Sequence, residues 1–453
     1  MGVVIESEVW ELNPAIYVFI LLACLLSISL FPNFSNRTTS SISDHNVVPS
    51  SSSSFLKFQR KFLLFYSLSS VLEGFWWVFG EYEMVNAGLS KEQMVFALSG
   101  GCLASLFVGT FLGIFSDALG HKKFCLLFYG LHLVIAIWKT LAAHPAMWIT
   151  SICLSLASSI FSFSFETWMV VEHEKHGYRQ DGLNDTFWLM VFSESASLIG
   201  SQMLANWVVG PGSKKIFVSP FLIPVLLAMI SFALTARGCP ESPARGRLQE
   251  HKAAFLSFIF GDKRIWLLAC AQASLHFAIA VFWILWAPTT VADGRELKLG
   301  LLYPCFLGAR MLGSTAFPWS LSGLLSLRIE DCLLYEFIGA GFVLSVVAYD
   351  YQDIGVLVAL FCLFQALVGL ISPTLARLRT MYVPNEFRAG MMSLSLAPAN
   401  AAALCVLIQG GYYRNLNNSI IMAFAALGLF LAAGCMHVLK NLGKQPHQNW
   451  HKL

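Results

Sequence analysis

The chain has 453 residues, of which 57% are hydrophobic, 14% aromatic and only 12% charged, against roughly 25% charged residues in a soluble domain. That balance excludes a water-soluble globule. The net charge of +3 is too small and too dispersed to argue for nucleic acid or for a polybasic patch on a membrane surface.

In chain order, Glu6, Glu8 and Glu11 precede an apolar run from Pro14 to Phe31. A signal peptide carries basic residues before its apolar core, so this acidic start predicts a retained membrane helix with its N-terminus outside. From Asn33 to Ser54 the composition turns to Ser, Thr and Asn without periodicity, which reads as a linker. Twelve apolar runs follow, at about 58–82, 93–116, 122–142, 146–170, 184–208, 216–236, 264–289, 298–320, 330–349, 353–376, 386–410 and 418–440, each near the ~20 residues that cross a hydrocarbon core. The 11 cysteines lie about one per run with no C-x-x-C spacing, so they read as small buried hydrophobes rather than a disulfide or metal framework.

Lys and Arg set the orientation. Lys122 and Lys123, Lys175 and Arg179, Arg237 to Arg264, Arg328, Arg377 to Arg388, and Lys440 with Lys444 all fall on one side, which is the cytoplasmic one. Arg37, Lys57, Arg60 and Lys61 put the linker there too, so the extra first helix runs from outside to inside. The sequons at Asn33, Asn36 and Asn184 then face the cytoplasm, and only Asn417 faces outward. The layout segments into an N-terminal helix and linker (1–57), six spans (58–236), a cytoplasmic loop (237–263), six more spans (264–440) and a tail (441–453). Two parallel six-helix halves are a recurring plan of secondary transporters, with the substrate site between them near the midplane. The fold class expected is an all-α polytopic membrane bundle of six plus six helices with one extra N-terminal span.

Between the second and third spans stands Gly113-Ile-Phe-Ser-Asp117-Ala-Leu-Gly120-His-Lys122-Lys123. Gly113 would let a neighbouring backbone approach, Asp117 suits a helix N-terminus, and Gly120 makes the turn before the basic pair. Its counterpart in the second half is Arg377-x-Arg379 through Pro384 to Arg388-Ala-Gly390.

Counting along the helices at ~1.5 Å per residue puts Glu73, Glu194, His276, Arg310, Gln365 and Asn400 about 15–22 Å deep, with Gln272 one turn below His276. Charges at that depth face a polar cavity or each other. Glu73 and Glu194 are weighed both as structural partners of Arg310 and as groups that handle substrate or protons. His276 is equally a hydrogen-bonded packing residue or a proton carrier, and Gln272, Gln365 and Asn400 are more often helix-to-helix hydrogen bonds than ligands. Lys139, near the outer end of the third span, is expected to snorkel. Glu166, near the inner end of the fourth, lies within reach of the basic loops. His173 and His176 share a face, but no further ligands follow at zinc spacing, so a solvated amphipathic helix end is expected and no metal.

The turn at Gly113–Lys123, the turn from Arg377 to Arg388 and the six-plus-six layout resemble the major facilitator superfamily. Within it the chain is similar to the molybdate-anion transporter branch, through Phe165-Glu166-Thr-Trp168 with Glu172-His173, Leu285-Trp286-Ala-Pro288, and Arg388-Ala-Gly390. The resemblance implies a carrier that alternates access, with Gly113, Asp117, Gly120, Lys122, Lys123, Arg377 and Arg388 as its cytoplasmic latch. It also raises the weight on Glu166, which the branch has in the same setting. The chain departs from that branch in having His276 where a carboxylate is expected, Leu396 where an arginine is expected, and Arg310 as its own intramembrane cation.

The expected function is therefore secondary active transport of a small inorganic oxyanion such as molybdate, with a proton weighed as the coupled ion. Two alternatives stand beside it: a carrier of a small organic solute such as a sugar or organic anion, and a non-transporting receptor or scaffold. No G-x-S-x-G, H-E-x-x-H or similar cluster suggests an enzyme, and nothing calls for a cofactor. A monomer in the lipid bilayer is expected, in the plasma membrane or, as the alternative, an endomembrane.

Overall fold

The computed structural model describes residues 10–39, 50–86, 88–142, 146–209, 221–238, 248–291, 297–322, 328–349, 353–410 and 417–443. The described residues are helical almost throughout. Helix α1 (Ala15–Thr39) is the extra one, and the first half is α2 (Ser50–Asn86), α3 (Lys91–Ala104) continued by α4 (Thr110–Leu119), α5 (His121–Leu141), α6 (Met147–Lys175), α7 (Gln180–Val209) and α8 (Leu222–Gly238). A short α9 (Leu248–Gly261) leads to the second half, α10 (Lys263–Thr290), α11 (Leu299–Ser322), α12 (Ile329–Ala348), α13 (Ile354–Tyr382), α14 (Arg388–Ile408) and α15 (Asn418–Gly443). Among the described residues, nine helices are long and apolar enough to cross a membrane. Helices α7 and α11 are not among the nine. Helix α7 is made more polar by Asp181, Asp185 and Glu194, and α11 by Arg310 with two prolines and three glycines. These two also face each other across the halves.

Burial forms two main cores. One gathers residues of α2, α5, α6 and α7, including Phe128, Phe163 and Phe165, and the other gathers α10 to α15, including Phe282, Phe306 and Phe361. Side chains of the α4–α14 junction enter both: Ile114 belongs to the second core, Ala389 and Met392 to the first. Without a hydrophobic force between helices in lipid, close approach depends on small residues. A Cβ on Gly101 would lie 2.3 Å from Ser155 Oγ and one on Gly109 would lie 2.7 Å from Ser159 Oγ, which seats α3 and its five-residue π turn, Ser105–Gly109, against α6. A Cβ on Gly313 would lie 1.9 Å from the Ala366 carbonyl oxygen and one on Gly369 2.1 Å from that of Arg310, so α11 and α13 meet backbone to backbone at the level of Arg310.

Helix α1 lies parallel to α11. Tyr17 donates its hydroxyl proton to the Leu301 carbonyl, Ile20 fills the space over Gly308, and Ser27 donates to the Thr315 carbonyl at 3.4 Å. Outside the helix, Lys298 pairs with Glu11 at 2.5 Å and Trp10 bridges Leu297. Since α11 descends toward the basic inner loops, α1 also runs from outside to inside.

Three expectations need correction. Lys139 does not snorkel: it is 4% exposed, forms an ion pair with Glu83 and sits over the rings of Trp76 and Phe221, because burial with a carboxylate partner replaces water at its ammonium. The Glu172–His176 end is solvated only on the side of Glu174, Lys175 and His176, which are exposed. Glu172 and His173 are buried, His173 edge-on against Phe55, and Glu172 lies 3.7 Å from Lys175 and 3.8 Å from His176. The loop expected at 237–263 contains α9, whose Phe255 and Ile259 are buried and whose Phe255 and Phe258 rings pack on Phe387 at 6.0 and 5.0 Å.

The weld at Gly369 gives a stability test. Gly369→Ala forces a methyl group into the Arg310 carbonyl, and overpacking of this kind costs about 1–3 kcal/mol. Thermal unfolding in detergent is expected to show a lower Tm for this variant, whereas Gly434→Ala, whose Cβ meets nothing within 4 Å, leaves it unchanged.

Candidate functional site

Polar groups gather at three levels between the halves. At the inner level, α4 ends at Leu119 and Gly120 turns with φ 106°, a conformation that glycine adopts without strain. One turn earlier, Asp117 accepts hydrogen bonds from the backbone N–H groups of Ala389 at 3.2 Å and Gly390 at 2.7 Å, in the first turn of α14. The free amides and the positive end of the helix dipole account for that attraction. Beside it a Cβ on Gly113 would lie 2.1 Å from the Ala389 carbonyl oxygen, and Ser393 donates to the Thr110 carbonyl at 2.8 Å. Phe255 of α9 covers this junction, within 2.6 Å of where a Cβ on Gly390 would stand. Lys122 donates to the Ala236 carbonyl at 3.1 Å, at the C-terminal end of α8.

One layer further in, Glu166 on α6 accepts from Arg379 on α13 twice, at Nε (3.1 Å) and Nη2 (2.5 Å), a fork geometry of the strong kind. Arg388, 1% exposed, stands 4.0 Å from the same carboxylate, and Arg379 Nη1 also donates to Gln272 on α10 at 3.3 Å. The cation that ties Glu166 is thus Arg379, not Arg377. Two residues along a helix turn a side chain by about 200°, so Arg377 faces away from Glu166.

At mid-depth, Glu194 on α7 accepts from Arg310 on α11 at 3.2 Å and from the Tyr66 hydroxyl on α2 at 2.8 Å. Arg310 is 13% exposed at its side chain, and its buried Nε has no hydrogen-bond acceptor among the described residues. Tyr303 lies in the field of both charges, its ring 5.4 Å from Trp283. His276 lies in the field of Arg379 and Arg310, between the inner and middle levels. Two to three turns outward along the same interface, Gln202 donates to the Gly300 carbonyl at 2.9 Å.

Glu73 does not join this group. Its partners are Trp77 Nε1 at 3.4 Å and His132 Nε2 at 3.4 Å, the latter on the third span. Gln365 is buried on α13 with neither amide atom hydrogen-bonded, and Asn400 is half-buried on α14. The sequence names Arg379 only within the turn that starts at Arg377, and it does not mark out Tyr66, Tyr303 or His132. Only His132 left a usable signal there, as an imidazole at mid-span in a helix otherwise almost free of charge.

A profile of MFS proteins described as sugar transporters, 12 TM, matches residues 18–370. Relatives of known name include the molybdate-anion transporter of Takifugu rubripes, 26% identical over 389 residues that cover 77% of this chain and 78% of the relative. That of Xenopus tropicalis is 24% identical over 351 residues, covering 74% and 75%. Among solved structures, the fucose:proton symporter of E. coli superposes with a TM-score of 0.64 at 13% identity, covering 85% of this chain and 99% of its own. A bacterial homologue of the iron transporter ferroportin does so with a TM-score of 0.64 at 15% identity, covering 84% and 99%. The chain belongs to this major facilitator family of membrane transporters, and is an integral, multi-pass membrane protein.

Proposed function

We propose that the protein is a secondary active carrier of a small oxyanion, with molybdate as the reference substrate, and that residues 58–236 and 264–440 rock about the site at Arg310. The observation that carries this reading is the half-buried Arg310 guanidinium, whose buried Nε–H has no acceptor among the described residues, held at mid-depth by a carboxylate of the opposite half. A planar guanidinium offers two parallel donors to an oxyanion. The relatives that bear the molybdate-anion name supply the choice of anion.

In this mechanism an incoming anion competes with Glu194 for Arg310. Glu194 keeps its Tyr66 bond, the tie between α7 and α11 weakens, and binding is thereby coupled to a change in the angle between the halves. Asp117 on the α14 amides, with Glu166 on Arg379, closes the inner side; these bonds break when the site opens to the cytoplasm. Coupling to a proton, residence in the plasma membrane and a monomeric state complete the reading.

A second reading has one observation in its favour. Trp283 and Tyr303 form an aromatic wall beside Arg310, the kind of surface that a small organic anion or sugar would use.

Uptake of labelled molybdate into proteoliposomes tests both. Saturable uptake is expected, with Arg310→Ala at least tenfold lower, since bonds to a charged group contribute about 1.5–3 kcal/mol, and Arg310→Lys intermediate. Uptake unaffected by Arg310→Ala removes the anion site, and competition by sugars or carboxylates but not by oxyanions decides for the second reading. The latch is tested separately by spin-label distances between the inner ends of α4 and α14. Asp117→Asn removes a charge from a helix N-terminus, about 1 kcal/mol, and is expected to raise the open-inside population roughly fivefold.

A further inference from the structure

The carboxylate left out of the oxyanion site has a partner of its own. His132 on α5 is fully buried, and its Nδ1 lies 3.0 Å from the Phe128 carbonyl oxygen. A carbonyl only accepts, so Nδ1 carries a proton. The other ring nitrogen, Nε2, has no hydrogen-bond partner and faces Glu73 Oε2 at 3.4 Å. The remaining oxygen, Oε1, takes the Trp77 N–H. With a neutral imidazole and an ionised carboxylate, two lone pairs would face each other and a bare negative charge would remain in the membrane, at a cost of several kcal/mol. One proton between Nε2 and Oε2 removes both penalties. Either imidazolium with carboxylate or imidazole with carboxylic acid results, and the pair is neutral in both forms.

Among the described residues, no nearby charge can do the same. On α7, Glu194 is held by Arg310, and on α6, Glu166 by Arg379. Lys139, two turns outward on α5, is taken by Glu83 of α2, and α8 carries only Arg237 among its described residues, at its inner end. Tyr66 and Tyr129, on α2 and α5, bond to Glu194 and Ser69.

We propose that Glu73 and His132 form a proton-binding site in the first half, separate from the oxyanion site and about 10 Å outward of it along α2, seven residues from Tyr66. His132 is 0% exposed at its side chain and Glu73 11%, so the proton enters and leaves on the Glu73 side. The inference that this is the coupled proton rests on the carrier reading above; the existence of the site does not.

The test has two arms on the purified full chain. First, protons taken up per molecule are counted with a pH-sensitive dye on a jump from about pH 9 to about pH 5. Glu73→Gln is expected to take up one proton fewer than wild type. His132→Asn removes the ring nitrogen that faces Oε2 and is expected to shift the pH at which this proton is taken up; should Glu73→Gln not fold, absence of that shift overturns the site. Equal counts in wild type and Glu73→Gln overturn the site. Second, uptake of labelled molybdate into proteoliposomes is driven by an imposed pH gradient. Glu73→Gln is expected to lose gradient-driven accumulation and to keep molybdate exchange at zero gradient. Accumulation unchanged in Glu73→Gln overturns coupling, whereas absence of molybdate transport in wild type, with the proton difference intact, overturns only the substrate reading.

Discussion

A charge in the hydrocarbon core must be neutralised by something that is also in the core, and here most of the neutralising groups belong to a different helix. Glu166 has Arg379, Glu194 has Arg310, and Asp117 has the amides that open α14. All three pairs join the first half to the second. Electrostatic ties thus run alongside the close packing that joins the two six-helix bodies, and each tie is strong because water is scarce around it. The same property makes the ties breakable by a ligand that offers equivalent bonds. A carrier needs an interface that holds firmly and can still be exchanged for substrate.

Small residues decide where those ties can form. The distance between Asp117 and α14 is short because Gly113 has no side chain to hold Ala389 away, and Arg310 stands on a segment of α11 pressed against α13 at Gly313 and Gly369. Electrostatics and sterics thus act in sequence: glycine brings backbones together, and the charge then finds a partner at hydrogen-bond range. Phe255 of α9 adds an apolar cover at the inner junction, so the connection between the halves is itself part of their contact.

How far the sequence is readable follows from how local each feature is. The spans, their orientation and the turn from Gly113 to Lys123 depend on patterns within about twenty residues, and the structure has helices in those places. The depth count correctly placed Glu194 and Arg310 at one level, since rise per residue is nearly constant. It could not give rotation about the helix axis, so Arg377 and Arg379 were indistinguishable and Glu73 was grouped with the wrong cation. Helix α9 was hidden by the charged residues around it, although Phe255, Phe258 and Ile259 follow helical spacing. His132 is one imidazole on an apolar span, and its sequence position does not show the face it turns toward Glu73 on α2.

The first helix carries a mechanical consequence. By sequence α1 precedes the first half, but its contacts through Tyr17, Ile20 and Ser27 fasten it to α11 of the second. Helix α1 therefore packs on the half that follows α9, while α2 to α8 form the other. It is in effect a passenger of the C-terminal half, and a force or a bound protein acting on α1 would be felt on the side that carries Arg310.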